Sequence, residues 1–256
     1  MNILLAALFS LLLLHPLLPP RPALAVDVAV SCVTIPTPEH PVAARLFAAP
    51  GSAKRPAVIL LHGRQGLDRF PGYYEQFARA LASSGMDAYL LSYYSGADQE
   101  QANATDKTAR QAYFAQRRSA WSWLAQAVVS QALARNECSG LVGLLGFSQG
   151  GFLAVAAASQ DPRIAALVVF YGGVPGALRD SIAHLPPLIA LHGDADNVVP
   201  LSEGQALVAL GRKLGQPAEL VVFPGAGHGF SKGPDAAKAQ QMALAFLRQR
   251  LMPQHP

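Results

Sequence analysis

Ser148 lies in Gly146-Phe147-Ser148-Gln149-Gly150-Gly151, between an apolar run that ends at Phe147 and a helical stretch over 151–158. A G-x-S-x-G segment at a strand-to-helix turn is the arrangement that presents a serine hydroxyl outward on a strained backbone. Glycines flank it because a Cβ there would collide with the neighbouring strand or helix. The chemistry this allows is nucleophilic attack on a carbonyl. The backbone N–H of Gln149, at the start of the helix, is placed to hold the oxyanion that forms. The competing reading is a simple helix N-cap serine, which does not require glycines on both sides.

A serine hydroxyl needs a base, and the chain has seven histidines. His15 falls in the N-terminal apolar leader, His255 at the C-terminus, His40 in a Pro-rich turn and His184 in a connection. His62 and His192 end strands, where they are expected to orient loops. His228 differs: Gly225-Ala226-Gly227-His228-Gly229-Phe230 is a glycine-rich loop after the last strand, able to bring an imidazole over the nucleophile. For the acid, Asp194 and Asp196 compete in His192-Gly193-Asp194-Ala195-Asp196-Asn197. Asp196 is preferred because it lies further into the loop, whereas Asp194 sits against the strand end and suits a turn cap. His62-Gly63-Arg64-Gln65-Gly66 follows the third strand and offers the backbone N–H of Arg64 as a second oxyanion donor. The Arg64 side chain is open to solvent or to an anionic group of a substrate. Tyr94 and Tyr171, at the same sheet edge, are candidate substrate-binding residues.

The elements that must position these groups are legible as alternating runs. Short β-rich segments at 28–34, 42–48, 57–62, 88–93, 141–147, 164–171, 187–192 and 219–223 make eight expected strands. Between the later ones, sets such as Phe114, Trp121, Leu124 and Val128 recur near the 3.6-residue helical period. Strand then helix, repeated, predicts an α/β fold, with a mostly parallel eight-stranded sheet and helices on both faces. Runs that are apolar at nearly every position, such as 58–61 and 141–145, suit strands covered on both sides. The first two strands alternate and precede any helix, so an antiparallel edge is expected. Residues 172–187 are too few for an inserted helical lid, and the polar stretch 95–108 reads as a loop at the rim.

The 256 residues carry 51% hydrophobic and 14% charged residues and a formal net charge of +4. That composition excludes a disordered chain and fits one domain over 26–256. The basic residues form no phosphate-tracking stripe, so a nucleic-acid partner is not expected. Two cysteines, Cys32 and Cys138, with no clustered His and Cys, give neither a disulfide scaffold nor a zinc site, and no metal or cofactor is expected. No dinucleotide site is read in Gly225-x-Gly227, because position 230 is Phe230 and no helix opens there. Residues 3–14 form an apolar run of about a dozen residues, against about 20 for a membrane-spanning helix. The run is followed by prolines and Ala23-Leu24-Ala25. This predicts a signal peptide over 1–25, cleavage after Ala25, and export to the periplasm or the medium, against the alternatives of an uncleaved anchor or a lipoprotein acylated at Cys32. Stable membrane insertion of the mature chain is not expected, and the sequence does not fix its oligomeric state. The usual sheet order separates Cys32 from Cys138 by several strands, beyond bridging distance.

The segments 60–67 (LLHGRQGL), 146–151 (GFSQGG), 168–173 (VVFYGG), 191–200 (LHGDADNVVP) and 224–230 (PGAGHGF) resemble the dienelactone hydrolase family of α/β-hydrolases, from about residue 42 to 251. The order Ser148, Asp196, His228 is that of the α/β-hydrolase triad. The resemblance implies a single-domain α/β-hydrolase that cleaves small carboxylic esters or lactones through an acyl-enzyme. Ser148 stands where dienelactone hydrolases proper carry cysteine, so the resemblance carries ester chemistry rather than one named lactone. A peptidase or acyltransferase on the same site, and a catalytically idle binding protein, are the competing classes.

Overall fold

The computed structural model describes residues 27–37, 41–230 and 233–252. The expected leader with its cleavage site, His40 and His255 lie outside the described residues.

The apolar runs become eight strands: β1 (Ala29–Ile35), β2 (Val42–Ala48), β3 (Arg55–Leu61), β4 (Asp87–Leu91), β5 (Cys138–Phe147), β6 (Ile164–Phe170), β7 (Leu188–Gly193) and β8 (Ala218–Phe223). They form one sheet in the order β1-β2-β4-β3-β5-β6-β7-β8. β1 pairs antiparallel with β2, and β2 antiparallel with β4; all other pairs are parallel. The antiparallel edge is therefore as expected. Cys32 on β1 and Cys138 on β5 stand four places apart in this order and are both free thiols, Cys32 exposed and Cys138 buried.

Alternation along each strand divides the core in two. Ile59, Leu61, Leu144 and Val169 face α3 (Lys107–Ala134), α4 (Gln149–Ala158) and α5 (Leu201–Lys213), meeting Trp121, Val128, Leu153 and Leu207. Val58, Leu60, Leu145 and Val168 point the other way, onto Phe77 and Leu81 of α1 (Pro71–Ser83) and Phe246 and Leu247 of α6 (Gly233–Leu251). Burial of both faces is what the uninterrupted apolar runs required.

One expectation fails. Residues 95–108 are not an irregular rim but fold as α2 (Gly96–Ala102) followed by the start of α3. Ser95 caps α2 with a reciprocal capping box, its hydroxyl accepting from the Asp98 N–H while the Asp98 carboxylate accepts from the Ser95 N–H. Asp98 is buried and also accepts from the Tyr113 hydroxyl and Arg117, which pins α2 to α3. Asp106 caps α3 through the Thr108 N–H. The buried residues of α3 begin only at Trp121. The first turns of this 28-residue helix therefore stand beyond the sheet, above the carboxyl ends of the strands.

Candidate active site

The turn from β5 into α4 places Ser148 at φ 52°, ψ −118°, a region that L-residues avoid. Its N–H donates to the Phe170 carbonyl at 2.9 Å, tying the turn to β6. The glycine requirement is literal here. A Cβ on Gly146 would lie 2.1 Å from the Gly150 carbonyl oxygen, and one on Gly150 would lie 2.3 Å from the carbonyl oxygens of both Leu61 and His62.

The loops after β7 and β8 bring two further predicted residues to this serine. Ser148 Oγ lies 2.9 Å from His228 Nε2, and His228 Nδ1 lies 2.8 Å from Asp196 Oδ2. With the Nδ1–H donating to the carboxylate, Nε2 is left as an acceptor for the serine proton. Asp196 is buried, and its Oδ1 accepts from the N–H groups of Val198 and Val199, each at 2.9 Å. His192 supports the same loop by donating from Nε2 to the Val199 carbonyl at 2.8 Å, and it lies 3.5 Å from Asp196 Oδ2. Asp194 is exposed and accepts from the Gly225 N–H at 2.6 Å, which is the turn-capping position that separated it from Asp196 in the sequence. Tyr171 packs its ring edge-on to His228, with centroids 5.0 Å apart, on a backbone that also has positive φ, 38°.

The two expected oxyanion donors come from the turn after β3 and the start of α4. Gln149 is the first residue of α4, and the Gly63–Arg64 turn passes beside the nucleophile: a Cβ on Gly63 would sit 3.6 Å from Ser148 Cβ. Neither the Gln149 nor the Arg64 backbone N–H has a partner among the described residues, so both remain available to a developing negative oxygen. The turn is held from behind. The Gly63 N–H donates to the Tyr74 hydroxyl at 2.9 Å, and His62 Nδ1 donates to the Gly63 carbonyl at 2.8 Å. The His62 ring stacks on Tyr93 at 3.9 Å, and its complete burial pushes the imidazole down to about 4, so it stays neutral.

Tyr94 is not where the sequence suggested. It does not line the cavity. Its ring packs on Trp121 and His62, and its hydroxyl accepts from the Gln149 side-chain amide. Burial holds its phenol well above the usual range. Tyr94 therefore braces the Gln149 side chain instead of facing the cavity. The reason lies in the path of the chain: after β4 and Ser92, Tyr93 and Tyr94 turn into the aromatic cluster around Trp121. Tyr171, by contrast, does line the cavity.

Ser148 and His228 open into a cavity of about 770 Å³. Its wall carries Phe70, Phe114, Phe147 and Phe152 together with Arg64, Lys107, Arg110 and Arg118, and no Asp or Glu of the described residues lines it. Lys107 was missed because 95–108 reads as a loop, and Arg110 and Arg118 because, at or beside an expected helix, they belong to no catalytic motif. Their spacing, 107, 110, 114 and 118, is one face of a helix and was the available signal.

A sequence model of the dienelactone hydrolase family matches residues 42–251. A Methylorubrum extorquens protein named as a carboxymethylenebutenolidase is 31% identical over 101 residues, 35% of this chain and 34% of that protein; the match thus spans about a third of the length of that curated relative. A dienelactone hydrolase from Anabaena variabilis superposes with a TM-score of 0.71 at 20% identity, over 88% of this chain and 99% of that one. An acylaminoacyl peptidase from Pyrococcus horikoshii gives 0.70 at 13% identity, over 90% of this chain and 43% of that one. At these identities the structures share the fold.

Proposed function

The chain belongs to the dienelactone hydrolase family, and we propose on that premise that it is a serine hydrolase cleaving carboxylic esters or lactones through an acyl-enzyme. The observation that carries this reading is the unbroken hydrogen-bonded line Ser148–His228–Asp196 at the foot of a substrate-sized cavity. Family membership supports hydrolysis; the serine-dependent mechanism rests on the geometry.

In the proposed reaction, Ser148 Oγ attacks the scissile carbonyl carbon while its proton passes to His228 Nε2. Asp196 holds the Nδ1–H and balances the imidazolium. The carbonyl oxygen, now negative, moves toward the Gln149 and Arg64 N–H groups, which are fixed before the reaction and need no reorganisation. The imidazolium then returns its proton to the departing alkoxide, leaving Ser148 acylated. A water deprotonated by the same imidazole attacks the acyl group and releases the acid, and the proton returns to Ser148. A hydroxyl, unlike a thiol, carries almost no anion at neutral pH, so this chain depends on His228 during attack more than a cysteine enzyme would.

A fluorophosphonate probe is expected to label Ser148. A panel of p-nitrophenyl esters, lactones and peptide amides separates the candidate activities. Turnover of esters or lactones that vanishes in Ser148→Ala supports the proposal, and preferential amide cleavage selects the peptidase reading. Labelling elsewhere, with no turnover on any arm, leaves a binding protein. We also propose that residues 1–25 direct export and are removed, so intact mass of the secreted protein is expected to begin at Val26.

A further inference from the structure

Elsewhere on the molecule Arg45 pairs with Glu75, Arg55 with Asp87, Arg117 with Asp98, Arg163 with Asp161 and Arg179 with Glu203. The cavity wall instead gathers four cations without such pairs. Arg64, Lys107, Arg110 and Arg118 have no carboxylate partner among the described residues. Two of them are locked in place without being neutralised. Arg64 donates from Nη1 to the Ala102 carbonyl and Asn103 Oδ1, both at 3.1 Å. Arg110 donates from Nη1 to the carbonyls of Ala104 and Thr105, at 2.6 and 2.7 Å. Both guanidinium groups thus grip the short link between α2 and α3, and their Nε and Nη2 groups have no partner among the described residues. Their charges oppose each other: Arg64 is held below the usual range by partial burial and then by the Arg110 charge. Carbonyl oxygens fix the geometry of such a pair but supply no formal negative charge, and an oxyanion bridging the two guanidiniums would supply it.

The rest of the wall fixes what the anion is attached to. Phe70, Phe114 and Phe152 offer apolar surface in the same cavity. A volume of about 770 Å³ lies in the upper part of the ~300–1,000 Å³ range that takes drug-sized ligands. We propose, building on the ester-hydrolase reading, that the substrate is an amphiphilic anionic ester: an apolar, ring-sized body against Phe70, Phe114 and Phe152, and a multiply charged terminal oxyanion on Arg64, Arg110 and Lys107. Two guanidiniums and an ammonium match a dianion such as a phosphate monoester better than a single carboxylate. Arg118 stands two turns along α3 from Arg110, about 12 Å at 1.5 Å per residue, and belongs to the wall but not to the anion patch.

The test is a matched set of 4-nitrophenyl 3-arylpropanoates whose ring carries a methoxy, a carboxymethoxy or a phosphate group. The ratio of kcat/KM between charged and methoxy esters is expected to exceed about tenfold for the phosphate at low salt and to be smaller for the carboxylate. It is expected to shrink as ionic strength rises. Arg110→Gln is expected to lower that ratio at least fivefold. Lys107→Gln, on an exposed side chain with no described hydrogen bond, lowers it in the same direction even if loss of the Arg110 carbonyl contacts unfolds the first variant. Arg118→Gln changes it less than twofold. A carboxylate preferred over the phosphate moves the assignment from a dianion to a monoanion and overturns the charge count. A ratio at or below one in the wild-type protein, or one unchanged by both Arg110→Gln and Lys107→Gln, overturns the subsite itself. Calorimetric titration of the wild-type protein with the non-hydrolysable 3-(4-phosphooxyphenyl)propanamide separates the two levels. Binding that Arg110→Gln weakens, without turnover of any ester, keeps the subsite and sinks the hydrolase. Turnover of the methoxy ester without amide binding keeps the hydrolase and sinks the subsite.

Discussion

At the scale of single residues, the proposed nucleophile carries a measurable cost. Ser148 sits at φ 52°, ψ −118°, where a Cβ is strained by about 1–2 kcal/mol. Ser148→Gly is therefore expected to raise the melting temperature by about 2–4 °C per kcal/mol relieved while abolishing turnover. Ser148→Ala loses turnover, by roughly four to six orders of magnitude, without that gain in stability. Differential scanning fluorimetry beside ester kinetics reads both. The two carboxylates after β7 give a second contrast. Asp196→Asn removes the acceptor that fixes the His228 tautomer and is expected to cost about 10³–10⁴ in kcat with KM little changed. Asp194→Asn disturbs only the hydrogen bond to the Gly225 N–H and is expected to cost less than about tenfold. The reverse order, in two variants with wild-type circular dichroism, would make Asp194 the acid. Ser148, Asp196 and His228 were legible because each occupies a loop at the carboxyl end of a recognisable strand, in a diagnostic order. Tyr94 was misjudged because sequence places it at the right edge but says nothing of which way the chain turns after β4.

At the scale of elements, the β5–α4 turn works because β3 passes directly beneath it. A methyl group on Gly150 has no room against the Leu61 and His62 carbonyls, 2.3 Å away, and backbone cannot yield as a side chain does. Gly150→Ala is expected to destabilise the protein by more than about 3 kcal/mol or to displace the turn and abolish activity. Gly151→Ala meets the Val169 Cγ1 methyl at 3.0 Å and is expected to be milder; urea unfolding ranks the two. The end of β3 sets an acid limit as well. His62 is neutral and buried, with its folded value near 4 against 6.5 for the free side chain. Between those values the unfolded chain binds a proton that the folded chain does not, so stability falls as pH drops from about 6.5 toward 4, by up to about 3 kcal/mol, and levels off below. Urea midpoints measured across this window show that slope, and His62→Asn flattens it. The strands were readable from apolar runs. The helices α2 and the first turns of α3 were not, because their polar residues carry no apolar period; only the Ser95–Asp98 capping box and the helical spacing of the cavity cations mark them.

At the scale of the molecule, the sheet order separates what the ribosome delivers early from what completes the core. β3 lies between β4 and β5, and all of α2 and α3 is made before β5 appears. About 86 residues separate the ends of β3 and β5, which at roughly 5–20 residues per second is ~4–17 s of synthesis. During that time the central strand has one uncovered side, and neither Gly150 nor Ser148 exists to be packed. A ribosome-bound chain arrested before Phe147 emerges is thus expected to be cut by protease within 42–134, and one arrested well after α4 to resist. The same crossover that seats Ser148 over β3 thereby acts as a clock, postponing completion of the core until the second half of the sheet has been made.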